Sequence, residues 1–185
     1  MKDEGLKEII RKQREFFKER WDRVIPIPET LLGDNARWEK AKFLGFGEGT
    51  SIYDSSLVFG DVKVGLNTWI GPFTILDGEG GLEIGDFCNI SAGVQIYTHD
   101  SVKWAISGGK SKYEYAPTKI GNCCYIGPNA IIQKGIEIGD HCIIGANSFV
   151  NRNIPSHSMA VGSPARIIGK IKIDGEEVKI ERIQE

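Results

Sequence analysis

The chain has 185 residues and a formal net charge of −2, a length that suits one domain and a charge that argues against a nucleic-acid partner, for which a strongly basic face is expected. No apolar run approaches the roughly 20 residues of a membrane span, and the charged opening MKDEGLKEII does not fit a signal peptide. A cytoplasmic location without a membrane span is the expectation.

Residues 5 to 24 read as an amphipathic helix, with Leu6, Ile9, Ile10, Phe17, Trp21 and Val24 at helical spacing among charges of both signs. Pro26 and Pro28 stop it. Mixed charge favours packing against the rest of the chain or a neighbouring subunit over a membrane-surface role.

From Phe46 to Ile154 an aliphatic or aromatic residue recurs every sixth position. The series runs Phe46, Ile52, Val58, Val64, Ile70, Leu76, then Ile84, Ile90, Ile96, then Ile120, Ile126, Ile132, Ile138, Ile144 and Val150. Six matches neither a helix nor a hairpin. Such hexapeptide repeats mark an all-β repeat fold, a parallel β-helix of about six coils in which three short strands make each coil. The position four after each ladder residue should also point inward near a corner, and it holds small or apolar residues such as Thr50, Thr68, Thr74, Cys88, Val94, Cys124, Ala130, Cys142 and Ser148. None is charged. Cys88, Cys124 and Cys142 fall in that set; with Cys123 they match no zinc pattern, so they are read as reduced, inert packing residues and no metal is required.

Two places break the beat. The step from Leu76 to Ile84 is eight, around Asp77-Gly-Glu79-Gly-Gly81, and the step from Ile96 to Ile120 is 24, taking in His99, Trp104, Ser107-Gly108-Gly109 and Tyr113-Glu114-Tyr115. Stacking should bring both excursions to one corner on adjacent coils, and long loops on a rigid scaffold are where chemistry usually sits. His99 suits proton transfer near neutral pH, and Glu79, at the equivalent position one coil earlier, would stand about 5 Å from it. Position alone fits a surface role for His99 as well as a catalytic one. His141 and His157 are read as outward surface residues on scattered positions. Beyond the repeats, Lys170 to Ile173, a turn at Asp174-Gly175 and Val178 to Ile180 read as a C-terminal hairpin. The expected division is a helical segment at 1–45, a β-helix at 46–169 and a hairpin at 170–185.

The stretches ISAGVQIYTHD at 90–100 and IPSHSMAVGSPARIIG at 154–169, with the repeats between them, resemble the hexapeptide-repeat acetyltransferases, especially the maltose and galactoside O-acetyltransferases and related sugar acetyltransferases of surface-polysaccharide synthesis. The likeness covers about residues 64 to 169, leaving out the N-terminal helix and the hairpin. It implies a left-handed β-helix, a homotrimer, and acetyl-CoA as acyl donor in a groove between subunits. His99 matches the family's general base, which lets a sugar hydroxyl attack the thioester directly, without an acyl-cysteine. Asp77 matches an aspartate facing the sugar. Tyr125 stands where the family usually has tryptophan beside the cofactor, and Gly127, Ala146, Asn151, Arg152, Pro164 and Arg166 match groove positions, with Arg152 and Arg166 placed for phosphates and Lys170 nearby. Glu79, Asp100, Trp104 and Glu114 complete the candidate acceptor site.

Two departures from the family pattern stand out. Pro128 lacks the backbone N–H that helps hold the thioester in relatives, and Glu114 sits one residue off the family glutamate thought to orient the histidine, leaving Glu79 and Asp100 as rivals. The function implied is acetyl transfer to a sugar hydroxyl. The alternatives are N-acetylation of a nucleotide-linked amino sugar, an inactive repeat scaffold, and a carbonic anhydrase of similar coil, for which the three histidines are poorly placed.

Overall fold

The protein is described by a computed structural model covering residues 4–21, 23–24 and 36–183. The repeats wind into a β-helix whose interior is filled by three aliphatic ladders. Ile52, Ile70, Ile90, Ile126, Ile144 and Ala160 stand in parallel register on what we term the third face. Val58, Leu76, Ile96, Ile132 and Val150 form the first, and Val64, Ile84, Ile120, Ile138 and Ile154 the second. All are buried. The inward positions four residues on are buried too, Val62 alone being only half-buried.

A six-residue side closes because its corners tolerate left-handed backbone. Between the second and third faces the turn is made at Asn67, Phe87, Cys123, His141 and His157, with φ from 51 to 58°. Buried hydroxyls and thiols hold successive coils at these corners. Thr68 Oγ1 donates to the Gly85 carbonyl at 2.9 Å, and the Cys88 and Cys124 thiols donate to the Gly121 and Gly139 carbonyls at 3.1 Å each. Cys88, Cys124 and Cys142 are buried and unbridged, and Cys123 is exposed.

The two breaks in the repeat behave differently. At the first, the extra residues do not loop out; they lie within one strand, Ile75–Ile84, paired with Leu57–Val64 across a register shift between Gly60 and Val62. Leu82 and Thr118 then fill inward positions that the six-residue count passes over. At the second, residues 97–117 leave the coil as an arm, while Ile120 stacks directly on Ile84. The arm carries a short helix, Val102–Ile106, and a two-stranded antiparallel pair in which His99 faces Tyr115 and Asp100 faces Glu114.

The N-terminal helix α1 spans Glu4–Trp21. It ends earlier than its periodicity suggests, because Arg23 and Val24 pair antiparallel with Phe59 and Val58; the prolines expected to stop it lie outside the described residues. Ile9, expected on its apolar face, is exposed. Arg14 ties the helix to the first coil, its guanidinium buried against Asp54. A second helix, α2 (Ala36–Phe43), was not anticipated as a separate element; its Lys40 is fully buried over the first coil. At the other end, Arg166–Asp174 and Glu177–Arg182 form the C-terminal hairpin, its two-residue turn at Gly175-Glu176 rather than Asp174-Gly175.

Candidate active site

The corner between the first and second faces gathers the chemistry. His99 Nδ1 lies 2.6 Å from Asp77 Oδ2 on the preceding coil. The same oxygen accepts the backbone N–H groups of Thr98 at 2.9 Å and His99 at 3.2 Å, and Asp77 Oδ1 accepts that of Glu79 at 2.9 Å. Asp77 has no exposed surface. The resemblance placed it against the sugar; in the structure it is buried, with its carboxylate facing the imidazole. A carboxylate can only accept, so Nδ1 carries the proton and Nε2 is left with the lone pair that a base needs.

The close approach of the two coils requires glycine at one point. A Cβ on Gly80 would meet the Thr98 carbonyl oxygen at 2.4 Å, whereas the bare backbone lets Gly80 N–H donate to Thr98 Oγ1 at 2.8 Å. Glu79 is exposed, with Oε2 3.8 Å from His99 Nδ1, close to the rung distance expected. Tyr97 is not a rival base: burial, and then the Asp77 charge, push its hydroxyl pKa up.

Aromatic rings from the arm wall the imidazole. Tyr115 stacks at 5.6 Å and Tyr113 at 6.4 Å, and Trp104 meets Tyr113 edge-on at 5.6 Å. Asp100 and Glu114 do not reach the imidazole as its nearest carboxylates. Glu114 pairs with Lys103 and, at 3.4 Å, with Lys134, while Asp100 pairs with Lys134 at 3.0 Å. The Asp100 carboxyl is lowered by the Val102 N–H and then Lys134, Glu114 is lowered by Lys103, and Lys134 is raised by Asp100. Lys134 was missed in the sequence. Its signal is its place two residues after Ile132, on the same corner as His99.

The expected cofactor residues are spread over the prism. Asn151 and Arg152 are exposed on the His99 corner, one rung beyond Lys134. Ala146, Pro164 and Arg166 lie exposed at the next corner, between the third and first faces. Gly127 is there but buried, because a Cβ would strike the Ala146 nitrogen at 2.6 Å; coil stacking alone accounts for it. Pro128, beside it, offers only its carbonyl, which accepts Asn147 N–H at 2.9 Å. Tyr125 is exposed on the third face. Lys170 is exposed beside Ser158, four residues along the strand from Arg166. One side of the prism, roughly 20 Å for six extended residues, therefore separates His99 from most of this set within one chain.

His141 and His157 come together, contrary to the scattered placement expected, with rings stacked at 4.8 Å. They lie at the corner between the second and third faces, away from His99. Among the described residues no group of three or more His, Cys, Asp or Glu side chains is placed to hold a metal ion.

Residues 117–152 match the family model described as bacterial transferase hexapeptide (six repeats), and the coil is the left-handed β-helix of that repeat. A maltose O-acetyltransferase from Clostridium difficile 630 shares 31% identity over 92% of this chain and 90% of its own, with a TM-score of 0.64. A hexapeptide-repeat acetyltransferase from Vibrio cholerae O1 biovar eltor, in complex with acetyl coenzyme A, shares 22% over 90% and 89%, TM-score 0.68. AntD, an N-acyltransferase from Bacillus cereus in complex with dTDP and 3-hydroxybutyryl-CoA, shares 26% over 66% and 70%, TM-score 0.60. The chain belongs to the hexapeptide-repeat acetyltransferases. Within that family it is similar both to a sugar O-acetyltransferase and to an acyltransferase crystallised with a nucleotide.

Proposed function

We propose that this protein moves an acetyl group from acetyl-CoA to a sugar hydroxyl, with His99 as general base and Asp77 as the residue that orients it. The observation that carries the reading is the short His99–Asp77 contact at the foot of an aromatic-walled arm. Asp77 fixes the imidazole tautomer, and Nε2 accepts the proton of the acceptor hydroxyl as its oxygen attacks the thioester carbon; the thiol of CoA leaves. Trp104, Tyr113 and Tyr115 offer flat apolar surface to a sugar ring, and Glu79 offers a carboxylate to its hydroxyls.

The acyl donor would be held by the remaining candidates. Arg152 and Arg166 are exposed cations suited to phosphates, and Tyr125 supplies an aromatic surface. Because these lie on two corners and a face of one prism, the reading includes a closed trimer in which a neighbour completes each site. The first face, which joins the two corners, supports it. Its outward row is Leu57, Ile75, Gln95, Ile131 and Phe149, whereas the second face presents Lys63, Glu83, Lys119 and Glu137.

A second reading, N-acetylation of a nucleotide-linked amino sugar, is favoured by two further cations of the arm, Lys110 and Lys112, which are exposed and suit a phosphorylated acceptor. Release of CoA thiol, followed across free sugars, amino sugars and nucleotide sugars, tests both. Turnover with free sugars supports the first reading and turnover confined to nucleotide amino sugars supports the second. No turnover with any of them, by protein that binds acetyl-CoA, would sink both.

A further inference from the structure

We propose that Lys134 is a positioning residue for the acceptor, acting by clamping the arm through the facing carboxylates of Asp100 and Glu114. The proposal rests on the assignment of His99 as the base, and it adds a residue that acts through Asp100 and Glu114.

In the antiparallel pair at the root of the arm, His99 is opposite Tyr115 and Asp100 is opposite Glu114. Alternation along a strand sends these two pairs to opposite sides. One side therefore stacks Tyr115 on the imidazole at 5.6 Å, and the other places two carboxylates face to face, an arrangement that is destabilising when both are charged. Lys134 relieves it. Its ammonium stands 3.0 Å from Asp100 Oδ2 and 3.4 Å from Glu114 Oε2, with only 17% of the side chain exposed. It comes from the following coil, on the other side of the arm's root from Asp77, since Ile132 pairs with Ile96, so the clamp ties the arm to the rigid body. Lys103, from the arm's own helix, covers only Glu114 and cannot fix the arm to the coil. The ring positions of Tyr113, Tyr115 and Trp104 over His99 depend on the root holding its register.

The test replaces Lys134 by Met, which keeps the stem and removes the charge. The expected result is a rise of roughly tenfold in acceptor KM, within the usual range for a coupled charge network, with kcat less affected and CoA affinity by calorimetry unchanged. Lys134→Arg should restore most of the loss. Adding Glu114→Gln to the Met variant should restore part of it, because the like-charge pair is then gone. Independently of turnover, hydrogen exchange at Ala116 N–H, which closes the root by donating to Thr98 O at 2.8 Å, should be faster by a similar factor in Lys134→Met. Unchanged KM with unchanged exchange overturns the proposal, as does a fall in CoA affinity with acceptor KM intact, which would make Lys134 a cofactor contact. Failure of the wild type to acetylate any acceptor would remove the proposed reaction, and the exchange measurement would still decide the clamp.

Discussion

His99 and Asp77 lie 22 residues apart in sequence yet meet at 2.6 Å, because the coil that carries Asp77 lies directly beneath the root of the arm. The contact occupies Nδ1 and leaves Nε2 without that partner. His99→Ala should lower turnover by roughly 10²–10⁴-fold with CoA affinity little changed, the usual size of a general-base contribution. Asp77→Asn should approach the same loss while keeping the fold's shape, since an amide can hold the wrong tautomer. Wild-type rates in both variants, followed by CoA release, would remove the mechanism.

Much of this was legible in the chain. The ladders could be read because every coil repeats the same demand, an aliphatic at one position and a small residue four later, so Ile126 and Cys124 announce their burial without reference to distant residues. The meeting of both excursions at one corner followed from the same count. What the count could not give was the fate of two extra residues in the first excursion: they are absorbed into the strand Ile75–Ile84, with Asp77 buried against Thr98 and His99 of the arm and Glu79 left exposed. The Lys134 clamp was equally hidden, since it depends on how the arm folds back on itself, and no period runs through residues 97–117. Lys170 was added to Arg166 as a sequence neighbour, but on the extended strand Arg166–Asp174 the two stand four residues apart.

Arg152→Ala and Arg166→Ala should each weaken CoA binding, more strongly at low salt, because exposed charge pairs with phosphate are screened as ionic strength rises. Calorimetry at two salt concentrations checks this. Equal CoA affinity for wild type and both variants would mean that the donor lies elsewhere.

Mixing should separate a shared site from a self-contained one. His99 lies at one corner and Arg166 at another, so hybrids assembled from His99→Ala and Arg166→Ala chains should regain part of the activity that each homogeneous variant lacks. Light scattering should report a trimer. A fully active monomer would rule out the shared site.

The arm should be firmly held only within a window of pH. Asp100 and Glu114 have lowered pKa values, so their contribution is present above the ordinary carboxylate range and is lost as pH falls through their folded values. Lys134 has a raised value, so its contribution persists until pH rises past the ordinary lysine range, above about 10. The groups facing one another are Lys134, Lys103, Asp100, Glu114 and His99. Exchange at Ala116, corrected for its intrinsic pH dependence, should be slowest between the carboxylate and lysine ranges and should quicken on acidification; protection unchanged down to the lowest pH at which the coil stays folded would contradict the assignment.

The buried ammonium of Lys40 has a consequence for how these molecules behave in a crowd. It donates to the carbonyls of Tyr53, Asp54 and Ser56 at 2.9 to 3.1 Å; in the next coil the counterpart of Ser56, Thr74, offers its carbonyl to the coil before, accepting Leu57 N–H at 2.9 Å. A stack of parallel coils is a template that a second molecule could lengthen, one rung at a time, into a fibre. With the Ser56 carbonyl taken by a side chain and α2 packed over the first coil, that rung of the template is occupied, which works against end-to-end addition at that face.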